Sequence, residues 1–227
     1  MLFEIGNKLI AICTICNFVN LLIDKSLIMC FFQKINQKPE VIEKKFNAQF
    51  KFFDSFQPKD IINGFDFTTT PVIKHNDLQT IEMMQWGLVP HWANEEWNKA
   101  FTLNARVETL EDKPAFRNVT HNRCLVIANG FYEWQHQGKI KTKFEIGFND
   151  ELFAFGGIYD TYNNVDAYSI VTTEARGIMR EIHNTKLRMP IALKTNEEMI
   201  AWLNGENVEG RADFTAKNLD PLQLSLF

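Results

Sequence analysis

The residue pair with the most reactive potential is Met29-Cys30. Removing an initiator methionine ahead of a residue as small as cysteine leaves an α-amine and a thiol on one residue. Such a 1,2-aminothiol attacks an aldehyde through nitrogen to give an imine, and sulfur then closes a five-membered ring. The second covalent bond makes the product harder to hydrolyse than a simple imine. An α-amine titrates near ~7.7–8.0, so roughly a tenth or more is unprotonated at neutral pH, whereas a lysine amine near ~10.4 is almost wholly protonated. An internal cysteine cannot do this, so the chemistry requires residues 1–28 to be a removable leader or a stretch upstream of the true start. Cys13-x-x-Cys16 is the other pair with potential. It has no second pair to complete a tetrahedral zinc site and no βαβ context for redox work, so neither a metal nor a cofactor is expected.

The elements that must position Cys30 belong to an ordinary globular chain of 227 residues, 45% hydrophobic and 23% charged, enough for one domain. A net charge of −4 argues against nonspecific coating of duplex DNA, which rests on summed phosphate neutralisation. Any nucleic-acid site must be local. Cysteines at 13, 16, 30 and 124 show no disulfide framework, which points to a reducing cytoplasm. The apolar stretch from Leu9 to Ile23 is broken by Asn17 and Asn20 and is too short to cross a bilayer; Glu4 and the lack of a small-residue cleavage site speak against a secretory signal.

Ile42, Phe46 and Phe50 recur every four residues and predict an amphipathic helix from Pro39 to about Phe50. Strand patterns follow at Val72–His75, Thr80–Trp86, Arg123–Ala128, Phe131–Gln135, Lys143–Phe148, Leu152–Ile158 and Ala167–Thr173. Glu174–Ile182 reads as a helix, and Thr195-x-x-Glu198 as a capping box opening another that Gly205 ends. Short connections between strands predict an α+β domain with a mainly antiparallel sheet over 29–205. Residues 206–227 lose periodicity and are expected to form a surface or mobile tail.

Six ordered blocks run through this domain: Met29-Cys30, WGLVPHW at 86–92, NARVET at 104–109, RCLVIANGFYEW at 123–134, FAFGGIYD at 153–160 and IHNTKLRMPIAL at 182–193. In that order the chain resembles the SRAP family of abasic-site processing proteins, from Met29 to about Asn204. The resemblance implies a single domain with a barrel-like β core and flanking short helices. It also implies covalent capture of abasic sites in single-stranded DNA, with Cys30 forming a thiazolidine on the ring-opened sugar. By the same resemblance Asn104 holds the cysteine amine and sugar, an amide being able to donate and accept at once. Glu133 assists ring opening as an acid or base whose aromatic neighbours raise its pKa, and His183 shuttles protons. Arg106 and Arg188 are expected to meet phosphates, and Trp86 and Trp92 to stack beside bases or anchor the core. Two departures stand out. Phe31 and Phe32 replace the family's Gly-Arg after the cysteine, and Asn184-Thr185-Lys186-Leu187 lengthens the step from His183 to Arg188.

The chain ends in Gln223-Leu224-Ser225-Leu226-Phe227, which looks like a short peptide that docks on the bacterial β sliding clamp, with Gln223, Leu224, Leu226 and Phe227 as anchors. A monomer at the replication fork is the expected setting. A cysteine peptidase using Cys30 and His183 is the alternative reading.

Overall fold

A computed structural model of the chain describes residues 31–94 and 96–220. Cys30 with everything before it, and the clamp-like residues Gln223, Leu224, Leu226 and Phe227, lie outside the described residues. In chain order the elements are β1 (Phe32–Ile35), α1 (Pro39–Phe46), β2 (Gln49–Phe50), β3 (Lys59–Asn63), β4 (Thr69–Lys74), β5 (Asp77–Trp86), β6 (Asn104–Arg106), β7 (Arg123–Ala128), β8 (Gly130–Gln137) and β9 (Ile140–Gly147). They continue with β10 (Phe153–Tyr162), β11 (Val165–Glu174), α2 (Met179–Ile182), β12 (Arg188–Pro190), β13 (Ala192–Leu193), α3 (Asn196–Leu203) and β14 (Thr215–Asn218). The result is the mixed α+β architecture expected, mostly strands with a few short helices.

Two sheets make up the body. The first runs β14-β9-β8-β1-β3 and is antiparallel throughout. The second follows β12-β11-β10-β7-β4-β5-β2, and an added parallel pairing of β11 with β5 closes its middle into a ring. Phe131 of β8 packs edge-on against Phe155 of β10 at 5.7 Å and against Phe214 at 5.4 Å, joining the sheets. Burying such a ring contributes roughly 1.5–3 kcal/mol. Gln33 of β1 adds a polar tie by donating to the Tyr168 hydroxyl of β11 at 3.1 Å.

Local sequence explains most element ends. Pro39 opens α1, and Asn47 in the left-handed region closes it, so the helix stops short of Phe50, which instead belongs to β2 and stacks on Phe56. The capping box forms as expected, with Thr195 and Glu198 bonding reciprocally. The helix expected over Glu174–Ile182 shrinks to α2. Its would-be first turns contain Gly177 at φ +53, where an added Cβ would lie 2.7 Å from the Ala212 carbonyl. The tail expected from 206 onward is corrected in part: Phe214 is buried and β14 pairs with β9, so this segment completes the first sheet.

The FAFGGIYD block has a packing reason. A Cβ on Gly156 would come within 2.8 Å of the Trp202 ring, so only glycine lets α3 lie this close to the ring sheet. Trp202 then donates its indole N–H to the Cys124 carbonyl at 3.1 Å, and the Arg123 guanidinium lies 4.0 Å above its face.

Candidate active site

Glu133 lies on β8, whose first four residues are all buried, and is left 7% exposed. Its Oε1 has no hydrogen-bond partner among the described residues. Burial pushes the carboxyl up to about 8, against a smaller opposing effect of the Trp134 backbone hydrogen bond. At neutral pH this group is therefore mostly a neutral acid, able to donate a proton. His183 ends α2 with non-helical backbone angles and is buried. Its Nδ1 lies 2.7 Å from the Arg188 carbonyl oxygen, which can only accept, so Nδ1 carries the hydrogen and Nε2 is the basic nitrogen of the neutral ring.

Glu133 and His183 line one cavity of about 520 Å3. Phe31 and Phe32 form its apolar wall with Phe65 and Trp134; Phe31 meets Phe65 at 4.5 Å and Phe32 meets Trp134 at 5.0 Å. Phe31 is the residue that follows Cys30 in the sequence. β1 holds that wall in place between β8 and β3, pairing Phe32 with both Tyr132 and Asn63. The phenylalanines that replace Gly-Arg thus have a structural use as lining.

Asn104 opens β6, which runs parallel to β11, and with Arg106 it lines a second cavity of about 560 Å3. Arg106 is exposed. Trp92, 57% exposed, is held by its indole N–H donating to the Pro114 carbonyl at 3.1 Å and meets Trp97 edge-on at 5.1 Å. Phe101 continues the aromatic row at 6.0 Å from Trp97. Glu133 and His183 do not line this second cavity, nor Asn104 the first.

Of the two readings of Trp86, base stacking or core anchor, burial selects the second: it is fully buried and donates to the Leu103 carbonyl at 2.8 Å. The expectation that Arg188 meets a phosphate is corrected, because it faces inward. Its two terminal nitrogens take both Glu108 oxygens at 2.8 Å, and one also reaches the Thr172 carbonyl at 2.8 Å. That fork, which holds Glu108 below the usual carboxylate range despite burial acting to raise it, fixes the carbonyl on which His183 rests.

Sequence reading missed Phe65, Trp134, His136, Lys141, Thr185 and Lys186 in the first cavity and Trp97, Phe101 and Lys113 in the second. The spacing of Trp92, Trp97 and Phe101 was a visible signal for the aromatic row; nothing local foretells that Lys141 and Lys186 line the same cavity. Among the described residues no group of three or more His, Cys, Asp or Glu could hold a metal ion, and no helix is long and apolar enough to cross a membrane.

Comparison with known proteins gives this geometry a family. The SRAP model, described as SOS response associated peptidase, matches residues 29–225. The abasic site processing protein YoqW of Bacillus subtilis is 33% identical over 159 residues, covering 66% of this chain and 68% of the relative. HMCES of Xenopus tropicalis, another protein named for abasic site processing, is 27% identical over 189 residues, covering 66% and 55%. A crystal structure of a protein from Bacteroides thetaiotaomicron superposes with a TM-score of 0.75 at 28% identity, covering 84% of this chain and 92% of that one. One from Bordetella bronchiseptica, at 18% identity and a TM-score of 0.69, shares the fold. With the match running through both sheets and both cavities, the chain belongs to the SRAP family.

Proposed function

We propose that the mature chain begins at Cys30 and captures abasic sites in single-stranded DNA as a covalent adduct. The observation that carries this reading is the buried Glu133 carboxyl, kept as a neutral acid, in the same cavity as His183 and as the wall that leads directly to Cys30. The Cys30 amine adds to the C1′ aldehyde of the ring-opened sugar, forming a C–N bond and a carbinolamine. Glu133 gives its proton to the departing hydroxyl, so water leaves and an iminium forms. His183, through Nε2, takes the thiol proton as sulfur adds to the iminium carbon and closes the thiazolidine with a neutral ring nitrogen; that proton then passes from His183 through solvent to Glu133, which restores both groups. The balance is aldehyde plus aminothiol giving thiazolidine plus one water, with no change of oxidation state. Asn104 holds the Cys30 amine and the sugar, Arg106 guides the strand towards the site, and the exposed Trp92 stacks on a neighbouring base. The C-terminal Gln223, Leu224, Leu226 and Phe227 are read as a docking peptide for the sliding clamp, tested by a pull-down with and without Leu226 and Phe227.

Incubation with an abasic single-stranded oligonucleotide tests the central claim. The expected product is a heat-stable adduct one water lighter than the sum of its parts, absent with Cys30→Ala, on a chain whose intact mass starts at Cys30. An adduct that survives C30A, or peptide cleavage with no adduct, overturns it; the latter outcome supports the peptidase reading.

A further inference from the structure

The first cavity is apolar on its walls, yet Lys141 of β9 and Lys186 of the 184–187 loop both line it. Among the described residues neither forms an ion pair, while Lys34, Lys51, Lys74, Lys194, Arg176, Arg188 and Arg211 all do. Lys143, next on the same face of β9, differs again, because its ammonium lies over the Tyr132 and Trp134 rings at 4.5 and 5.5 Å. In a chain of net charge −4, two ammonium groups with no ion-pair partner among the described residues thus stand beside one apolar cavity.

The loop that carries Lys186 is held at both ends. The Asn184 side chain donates to the His136 carbonyl at 2.8 Å and accepts its N–H at 3.1 Å. At the other end Leu187 donates its N–H to the His183 carbonyl at 2.9 Å, and its own carbonyl accepts the Ala175 N–H at 2.8 Å. Leu187 itself adopts φ +53, a left-handed conformation unfavourable for a residue with a side chain, which persists only where the surroundings enforce it. The strain turns the chain back to β12 and leaves Lys186 half-buried on the cavity wall.

We infer that Lys186 and Lys141 form a clamp for the backbone phosphodiester next to the abasic sugar in the first cavity. This deepens the proposed function and rests on it. The clamp restores cationic charge at a site where Phe31 and Phe32 bring none, and it positions substrate without touching the reacting atoms.

Binding to a single-stranded oligonucleotide carrying a tetrahydrofuran abasic analogue, which cannot form the adduct, isolates this role. Lys186→Ala and Lys141→Ala should each weaken binding by a few-fold to about tenfold, lower the salt dependence by roughly one phosphate contact, and leave the pH profile of capture unchanged. Lys186→Arg should restore affinity, and Lys139→Ala, on the exposed hairpin tip outside the cavity, should change nothing. Replacing single phosphates beside the analogue with neutral methylphosphonate should weaken the wild type at one position to which K186A has become indifferent. Equal affinity and equal salt slope for wild type and the K141A/K186A double variant would overturn the clamp. So would methylphosphonate effects that are the same in both proteins. Normal binding with no adduct on a true abasic strand would instead remove the capture reading and leave the clamp standing.

Discussion

Glu82 and Glu133 are both strand glutamates withdrawn from solvent, yet their surroundings drive them in opposite directions. Glu82 on β5 faces Lys51 at 2.7 Å and Lys74, which also binds Asp166 at 2.5 Å. Burial acts to raise Glu82, but the hydrogen bonds from the two lysines hold it below the ordinary carboxylate range, and Asp166 behaves alike through Lys74 and Thr161. Glu133 receives no such partner and is pushed up to about 8. The first arrangement holds the ring sheet together; the second leaves a protonated acid in a cavity. Glu82 is half-buried and Glu133 fully so, and what separates scaffold from chemistry is the degree of burial together with whether the sequence supplies a counter-charge.

The sharpest way to break this contrast is Glu133→Gln. It keeps shape and removes the transferable proton, so the rate of adduct formation should fall on the order of 10²–10⁴-fold. The wild-type pH profile should descend near pH 8 as Glu133 ionises, and E133Q should lack that limb; adduct yields timed from pH 6 to 9 measure both. Lys74→Met leaves Glu82 and Asp166 facing each other with less compensation and should cost roughly 2–4 kcal/mol in denaturant unfolding, with capture unchanged, because Lys74 lines neither cavity.

Stability against pH should show both behaviours in one molecule. Glu82 and Asp166 have folded values below their unfolded references of 4.5 and 3.8, so their contribution is complete above those references and lost as pH falls through the folded values. Glu133 has the opposite sign: its contribution is complete below 4.5 and lost as pH rises towards about 8. Thermal melts should therefore decline on both sides, and E133Q should flatten only the alkaline side. The smallest effect expected is from Leu187→Gly. Relief of the left-handed strain and the added chain entropy nearly offset, leaving stability within about 1 kcal/mol, while the loosened loop weakens oligonucleotide binding.

Much of this was legible in the sequence because it depended on near neighbours. The Thr195–Glu198 capping box and the strands at Arg123–Ala128 and around Trp86 follow from local pattern. What was not legible depended on distant partners. Trp86 and Trp92 lie six residues apart in one motif, and only the ring closure of β11 on β5 decides that one is core and the other exposed. Arg188 could not be assigned before Glu108 was seen opposite it. β14 has little hydrophobic alternation of its own and exists because β9 offers an edge.

The Asn184 anchor has a consequence for the edge of β8. β1 pairs with β8 over Phe32–Lys34 and Gly130–Tyr132. Further along the same strand the Asn184 amide takes both the N–H and the carbonyl of His136. A side chain thus fills the place of a neighbouring strand there, so His136 offers no open main-chain ladder and the 184–187 loop seals that stretch of sheet against further pairing.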